Sequence, residues 1–176
     1  MSIYVFVPLV FAVVLMVYVG IAIATWRRLR GSRVVTCPET RHPAGVTVDL
    51  GHALATAVWE AADVRVESCS CWPERKGCDE GCVPQIETGG AATRPRAIAA
   101  RFFEHRSCAI CLRRIEPLSH GAHQPGFMNR VTRQAVPWDQ VLPQDLPDAV
   151  TRHHALCPDC TFAESSRVRE SPSSSR

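Results

Sequence analysis

The sequence predicts an α+β fold in which one N-terminal transmembrane helix precedes a small cysteine-rich soluble region of two lobes. Three observations carry that prediction. Residues 3–25 form an apolar run without a charge, short strand and helix patterns follow among thirteen prolines, and nine cysteines fall into two groups of four with one left over.

The apolar run, IYVFVPLVFAVVLMVYVGIAIAT, covers about 34 Å as a helix, enough for a bilayer core with some tilt. Pro8 and Gly20 are tolerated in a membrane helix, and Trp26 sits where an interfacial aromatic would. A cleaved signal peptide needs a basic stretch before the run. No Lys or Arg precedes it here, whereas Arg27, Arg28, Arg30 and Arg33 follow it. The positive-inside rule therefore predicts a single-pass protein of the inner (cytoplasmic) membrane, N-terminus outside and the rest in the cytoplasm. The lipid bilayer is its first expected partner.

Net charge is only +3, and the four arginines beside the membrane exceed it. No local basic surplus stands out after the anchor, so nucleic-acid binding is not expected. The predicted organisation is an anchor and basic juxtamembrane segment (1–33), a first cysteine-rich α+β lobe (34–88), a linker (89–95), a zinc-finger-like lobe (96–169) and a disordered tail (170–176).

Within the first lobe, Val46–Val48 and Val64–Val66 alternate like short strands. Leu50–Ala62 reads as a helix with Asp49 as N-cap and Leu54, Val58 and Trp59 on its apolar side. Residues 67–84 read as an irregular loop. In the second lobe, Arg96–His105 should be helical, with Ile98 and Phe102 packing inward. Weak strands fall near Phe127–Val136, a short helix over Asp145–His154, and a further helix from Cys157 to about Arg169, with Pro158 in its first turn.

The cytoplasm is reducing, so clustered cysteines there point to metal ligands or redox thiols rather than disulfides. Cys108, Cys111, Cys157 and Cys160 make two C-x-x-C pairs, a spacing that aims both sulfurs of a pair at one ion. The second pair opens a predicted helix, whose N–H groups stabilise thiolate charge. These four form the first predicted zinc site. An iron–sulfur cluster, a redox dithiol at Cys157 and Cys160, or disulfides under reversed topology are the alternatives. His120, His123, His153 and His154 lie close enough in sequence to replace a cysteine. Cys37, Cys69, Cys78 and Cys82 form a weaker second zinc site, for two ions in all. Cys71 competes with Cys69, since C-x-C can supply either sulfur.

Zinc sites of this kind would staple two lobes too small to hold themselves by core packing alone. Residues 106–169, with an early knuckle, a hairpin region and a cysteine pair opening a helix, resemble a treble-clef zinc finger. More broadly, CPET at 37–40, VTVD at 46–49, CSCWPER at 69–75, the following C-x-x-x-C, CAIC at 108–111 and CPDC at 157–160 resemble an uncharacterised family of bacterial single-pass membrane proteins with a cysteine-rich cytoplasmic domain. Cys71 stands where that resemblance implies a different, often basic, residue, which makes Cys69 the ligand and Cys71 the spare.

No catalytic constellation is present. Glu74, Glu116 and Asp159 lack motif context, and H-E-x-x-H, a Gly-rich phosphate loop and G-x-S-x-G are missing. The functional expectation is a membrane-anchored cytoplasmic zinc-binding module, structural or interaction-mediating and without catalysis, that meets an unknown protein partner at the inner membrane face. The alternative is a thiol-redox or soft-metal-handling membrane protein.

Overall fold

A computed structural model describes residues 3–72, 74, 77–118 and 123–170, with the backbone alone at 3–5 and 168–170. The sequence features expected at Pro73 and His120 and in the tail beyond Glu170 lie outside the described residues. The chain is mixed helix and sheet, with two three-stranded antiparallel sheets.

The first helix, α1 (Ile3–Leu29), is long and apolar enough to cross a membrane, and its most apolar stretch is not covered by the rest of the chain. Its last turn, in contrast, is built into the first lobe. Leu29 is only 3% exposed and joins a core of Val35, Val46, Val48, Ala53 and Ile86. Gly31 reverses the chain at a φ of +83°, a conformation that costs glycine little. Strand β1 (Arg33–Thr36) begins two residues later.

Arg33 is 1% exposed despite its charge. Its guanidinium donates to the carbonyls of Arg28 and Gly90, and Arg94 donates to those of Arg27 and Arg28. The last carbonyls of a helix have no partners within it, and cations there also suit the helix dipole. Two arginines thus cap α1 and fasten it to the lobe. The basic juxtamembrane stretch thus comprises the end of α1, a turn and the start of β1.

Strands β1, β2 (Pro43–Val48) and β3 (Val66–Cys69) form the first sheet in that order. Along β2, Ala44, Val46 and Val48 point into the core and alternate with more exposed residues. Helix α2 (Leu50–Thr56) crosses between β2 and β3, capped as expected by Asp49, whose Oδ1 accepts the His52 N–H at 2.9 Å. The predicted helix to Ala62 stops at Thr56. The Thr56 hydroxyl donates back to the His52 carbonyl and accepts the Asp63 N–H, so the chain turns away. Trp59, expected on the apolar side, is consequently 82% exposed.

After the cysteine-rich loop, α3 (Val83–Gly89) and a 3-10 turn (Gly90–Thr93) lead into α4 (Pro95–Phe103). The 89–95 stretch read as a linker is therefore almost wholly helical, and Arg94 within it grips the end of α1.

The second lobe contains β4 (Gly126–Asn129), β5 (Ala135–Pro137), α5 (Leu146–Arg152), β6 (His153–Leu156) and α6 (Pro158–Glu170). Its sheet has the order β5-β4-β6. The helix expected through His154 ends at Arg152, because His153 to Leu156 pair with β4 instead. Phe102, Phe103 and Phe127 centre the core, their ring centroids 5.0–5.2 Å apart. Leu146 and Leu156 close it.

Helix α6 touches β4 at Gly126. A Cβ there would lie 2.5 Å from the Thr161 methyl and 2.6 Å from the Val136 carbonyl oxygen. Gly126→Ala is accordingly expected to destabilise the protein by about 1–3 kcal/mol, as overpacking does. A lowered urea midpoint at unchanged slope would read that effect.

Candidate metal centre

The second lobe brings Cys108, Cys111, Cys157 and Cys160 together from two distant pieces of chain. The first pair lies on a tight hairpin turn. The Cys108 N–H donates to the Arg113 carbonyl at 2.8 Å and the Leu112 N–H to the Cys108 carbonyl at 3.0 Å. Leu112 takes a φ of +60°, and Ser107 pairs with Arg114 across the turn. The Ala109 N–H then donates to the Ala155 carbonyl at 2.9 Å, which ties the turn to β6.

The second pair spans the start of α6. Cys157 follows β6 directly, and Pro158 opens the helix where a missing N–H costs nothing. Thr161, 1% exposed, donates both its N–H and its hydroxyl to the Cys157 carbonyl at 2.9 Å. One sulfur is thus held at the sheet and the other one turn along the helix.

All four sulfurs lie within 4.8 Å of one another, and Cys111 Sγ and Cys157 Sγ are 3.6 Å apart. A tetrahedral ion with bonds of about 2.3 Å to sulfur places its ligands about 3.8 Å apart. The cluster therefore has the dimensions of a four-thiolate site. All nine cysteines are free thiols.

Electrostatics argue the same way. Burial pushes the Cys108 thiol up, but the backbone N–H groups of Cys157, Cys111 and Ile110 outweigh it and bring it down to about 6. Burial pushes Cys160 and Cys157 up, and the neighbouring thiols Cys108 and Cys111 add to the rise. Several thiolates in one small space repel one another, so the first to ionise holds back the rest. A divalent cation reverses that balance, since it favours every thiolate at once.

The predicted substitute ligands stand apart. His123 packs against Phe162 with ring centroids 4.4 Å apart and planes tilted by 46°, and neither His153 nor His154 joins the cluster. Among the described residues, the four cysteines are the one group of three or more such donors gathered within 4.8 Å.

The first lobe arranges its cysteines differently. Cys37 lies in the β1–β2 turn, Cys69 ends β3, Cys78 sits in the loop and Cys82 immediately precedes α3. All four line one cavity of about 20 Å³, and so does Cys71. Burial raises the Cys82 thiol to about 11, with Cys69, Cys78 and Cys37 contributing. Cys71, read from sequence as the leftover, is not separated from the group. Its thiol meets those of both Cys69 and Cys37. The two C-x-C sulfurs are brought together by a turn rather than by strand alternation, since β3 ends at Cys69 and the Trp72 N–H donates back to the Cys69 carbonyl at 3.0 Å.

No protein-family model, curated protein or solved structure matches the chain, so the family resemblance rests on the quoted motifs alone.

Proposed function

We propose that this protein is a single-pass membrane protein whose soluble lobes form a zinc-binding module at the cytoplasmic face, serving as a scaffold for protein interaction rather than as a catalyst. The observation that carries the reading is the convergence of Cys108, Cys111, Cys157 and Cys160 within 4.8 Å. Four thiolates close a tetrahedral shell and leave no open position for substrate, the mark of a structural zinc site. The treble-clef reading of the second lobe is supported by a cysteine knuckle, a hairpin (β4–β5) and a helix that begins at the second pair.

The anchor reading is supported by α1 and by the arginines at its end. Because Leu29, Arg33 and Arg94 fix that end to the first lobe, the module would be held at the membrane surface without a slack tether. Trp59, 82% exposed, offers a partner an apolar side chain.

Elemental analysis and a visible spectrum of anaerobically purified protein test the metal assignment. At least one zinc per chain and no visible absorption are expected. Iron with a charge-transfer band, or no metal, would reject it. Protease added to the outside of intact spheroplasts tests orientation: the soluble lobes should survive until the membrane is opened.

A further inference from the structure

Helix α1 ends among arginines that the sequence only half reveals. Arg27, Arg28, Arg30 and Arg33 follow the apolar run directly. The fold adds Arg94 and Arg96, which reach the same place from a distant part of the chain. Among the described residues, none of these arginines forms an ion pair with a carboxylate. Burial and the nearby charges of Arg94 and Arg28 pull Arg33 below its ordinary value, as cations crowded without a counter-charge do.

Arg30, Arg94 and Arg96 line one open cleft of about 450 Å³. That is the size of a small-molecule site. The lining also holds apolar side chains, Trp138, Val141 and Leu142, the last 57% exposed. Asp139 is the one acid in the lining, and it pairs with none of the three arginines. Arg94 is committed to capping α1. Arg30 and Arg96 are not. The Arg30 side chain makes no hydrogen bond among the described residues, and Arg96 donates once, from Nη2 to the Leu118 carbonyl at 3.0 Å. A guanidinium has five N–H donors, so both keep most of theirs for a ligand.

The depth of the cleft decides what that ligand is. Arg30 lies five residues beyond Thr25, where the apolar run ends, or about 7.5 Å along the helix axis. The headgroup layer on each side of a bilayer core is about 5–8 Å thick. The Arg30 guanidinium also lies over the Trp26 ring, 4.4 Å from its centroid, which draws its charge back toward the apolar run. With α1 across a membrane, the cleft opens at headgroup level. Planar guanidinium groups suit phosphate oxygens, and the apolar side chains beside them suit the glycerol and the first carbons of an acyl chain.

We infer that this cleft seats the headgroup of one anionic phospholipid, its phosphodiester on Arg30 and Arg96 and its glycerol end against Trp138 and Leu142. A free phosphate would leave the apolar side of the cleft unused. The inference rests on the reading of α1 as membrane-spanning and deepens it: the bound lipid would fix how the lobes sit on the membrane surface.

Native mass spectrometry of the full-length protein in detergent tests this, with phosphatidylglycerol and phosphatidylcholine of the same chains titrated in parallel. Phosphatidylglycerol should be retained and phosphatidylcholine released. Arg30→Gln combined with Arg96→Gln should weaken retention about thirtyfold, since each arginine near an anionic surface is worth about fivefold. Both side chains are exposed, so the melting temperature of that variant should match the parent's. Arg130→Gln combined with Arg133→Gln removes the same charge from the exposed β4–β5 turn and should leave retention unchanged. Equal retention of the two lipids, an equal loss in both double variants, or displacement of the lipid by soluble glycerol phosphate would overturn the inference. Flotation with phosphatidylcholine vesicles separates its failure from that of the anchor. Protein that floats but shows no preference for phosphatidylglycerol rejects the headgroup site alone, whereas protein that does not float counts against the membrane-spanning reading.

Discussion

Cys157→Ser combined with Cys160→Ser is expected to unfold the second lobe while leaving the first sheet intact. Hydrogen exchange reads it directly: protection in β4, β6 and α6 should be lost, and protection in β1 to β3 retained. The size of the effect follows from what the ion contributes. Structural zinc binding supplies on the order of 10–16 kcal/mol, whereas a whole domain is stable by only about 5–15 kcal/mol. The second lobe has one compact core, centred on three phenylalanines, and several of its connections are irregular. Both halves of its ligand set are fixed to that core, Cys108 through the Ala109 N–H bonded to the Ala155 carbonyl of β6 and Cys157 through its neighbour Leu156. Releasing the ion would leave mutually repelling thiolates, or force them to take up protons, where a cation had drawn them together. Unchanged protection in β4 and β6 would show that the lobe folds without a metal.

Phe127→Ala should be the most costly single core change, at about 3–5 kcal/mol. Phe127 is 1% exposed and lies 5.0 Å from Phe102 and 5.2 Å from Phe103, ring centroid to centroid. It sits in the middle of β4, the strand to which both β5 and β6 pair. A cavity there loosens the sheet that carries Cys157 toward the Cys108 turn, so metal affinity should fall together with stability. Trp59→Ala provides the contrast. That larger side chain is 82% exposed, and its removal should change stability by no more than about 0.5 kcal/mol. Chemical denaturation of the two variants side by side measures both.

The second-lobe cluster was legible because its information is local. Two residues between cysteines set a tight turn, and Pro158 marks a helix start, so neither inference needs a tertiary contact. The Asp49 cap was legible for the same reason. What escaped the sequence was decided at a distance. Arg33 looks like one more positive charge beside a membrane, and only the carbonyls of Arg28 and Gly90 make it a buried strand residue. His153 and His154 continue a helical stretch until β4 offers them a ladder. Trp59 has the chemistry of a core residue, but the Thr56 hydroxyl ends the helix before it can turn inward. The first-lobe thiols fall between these cases. Their presence was evident, but the roles of Cys71 and Cys78 depend on how β3, the loop and the β1–β2 turn meet around one cavity.

The account rests on cysteine sulfur as the complete ligand set of a bound zinc ion. X-ray absorption at the zinc edge of the full-length protein tests that claim most directly. The prediction is a single shell of four sulfur neighbours at about 2.3 Å. A nitrogen or oxygen shell, or protein that carries no zinc when purified without oxygen, would contradict it.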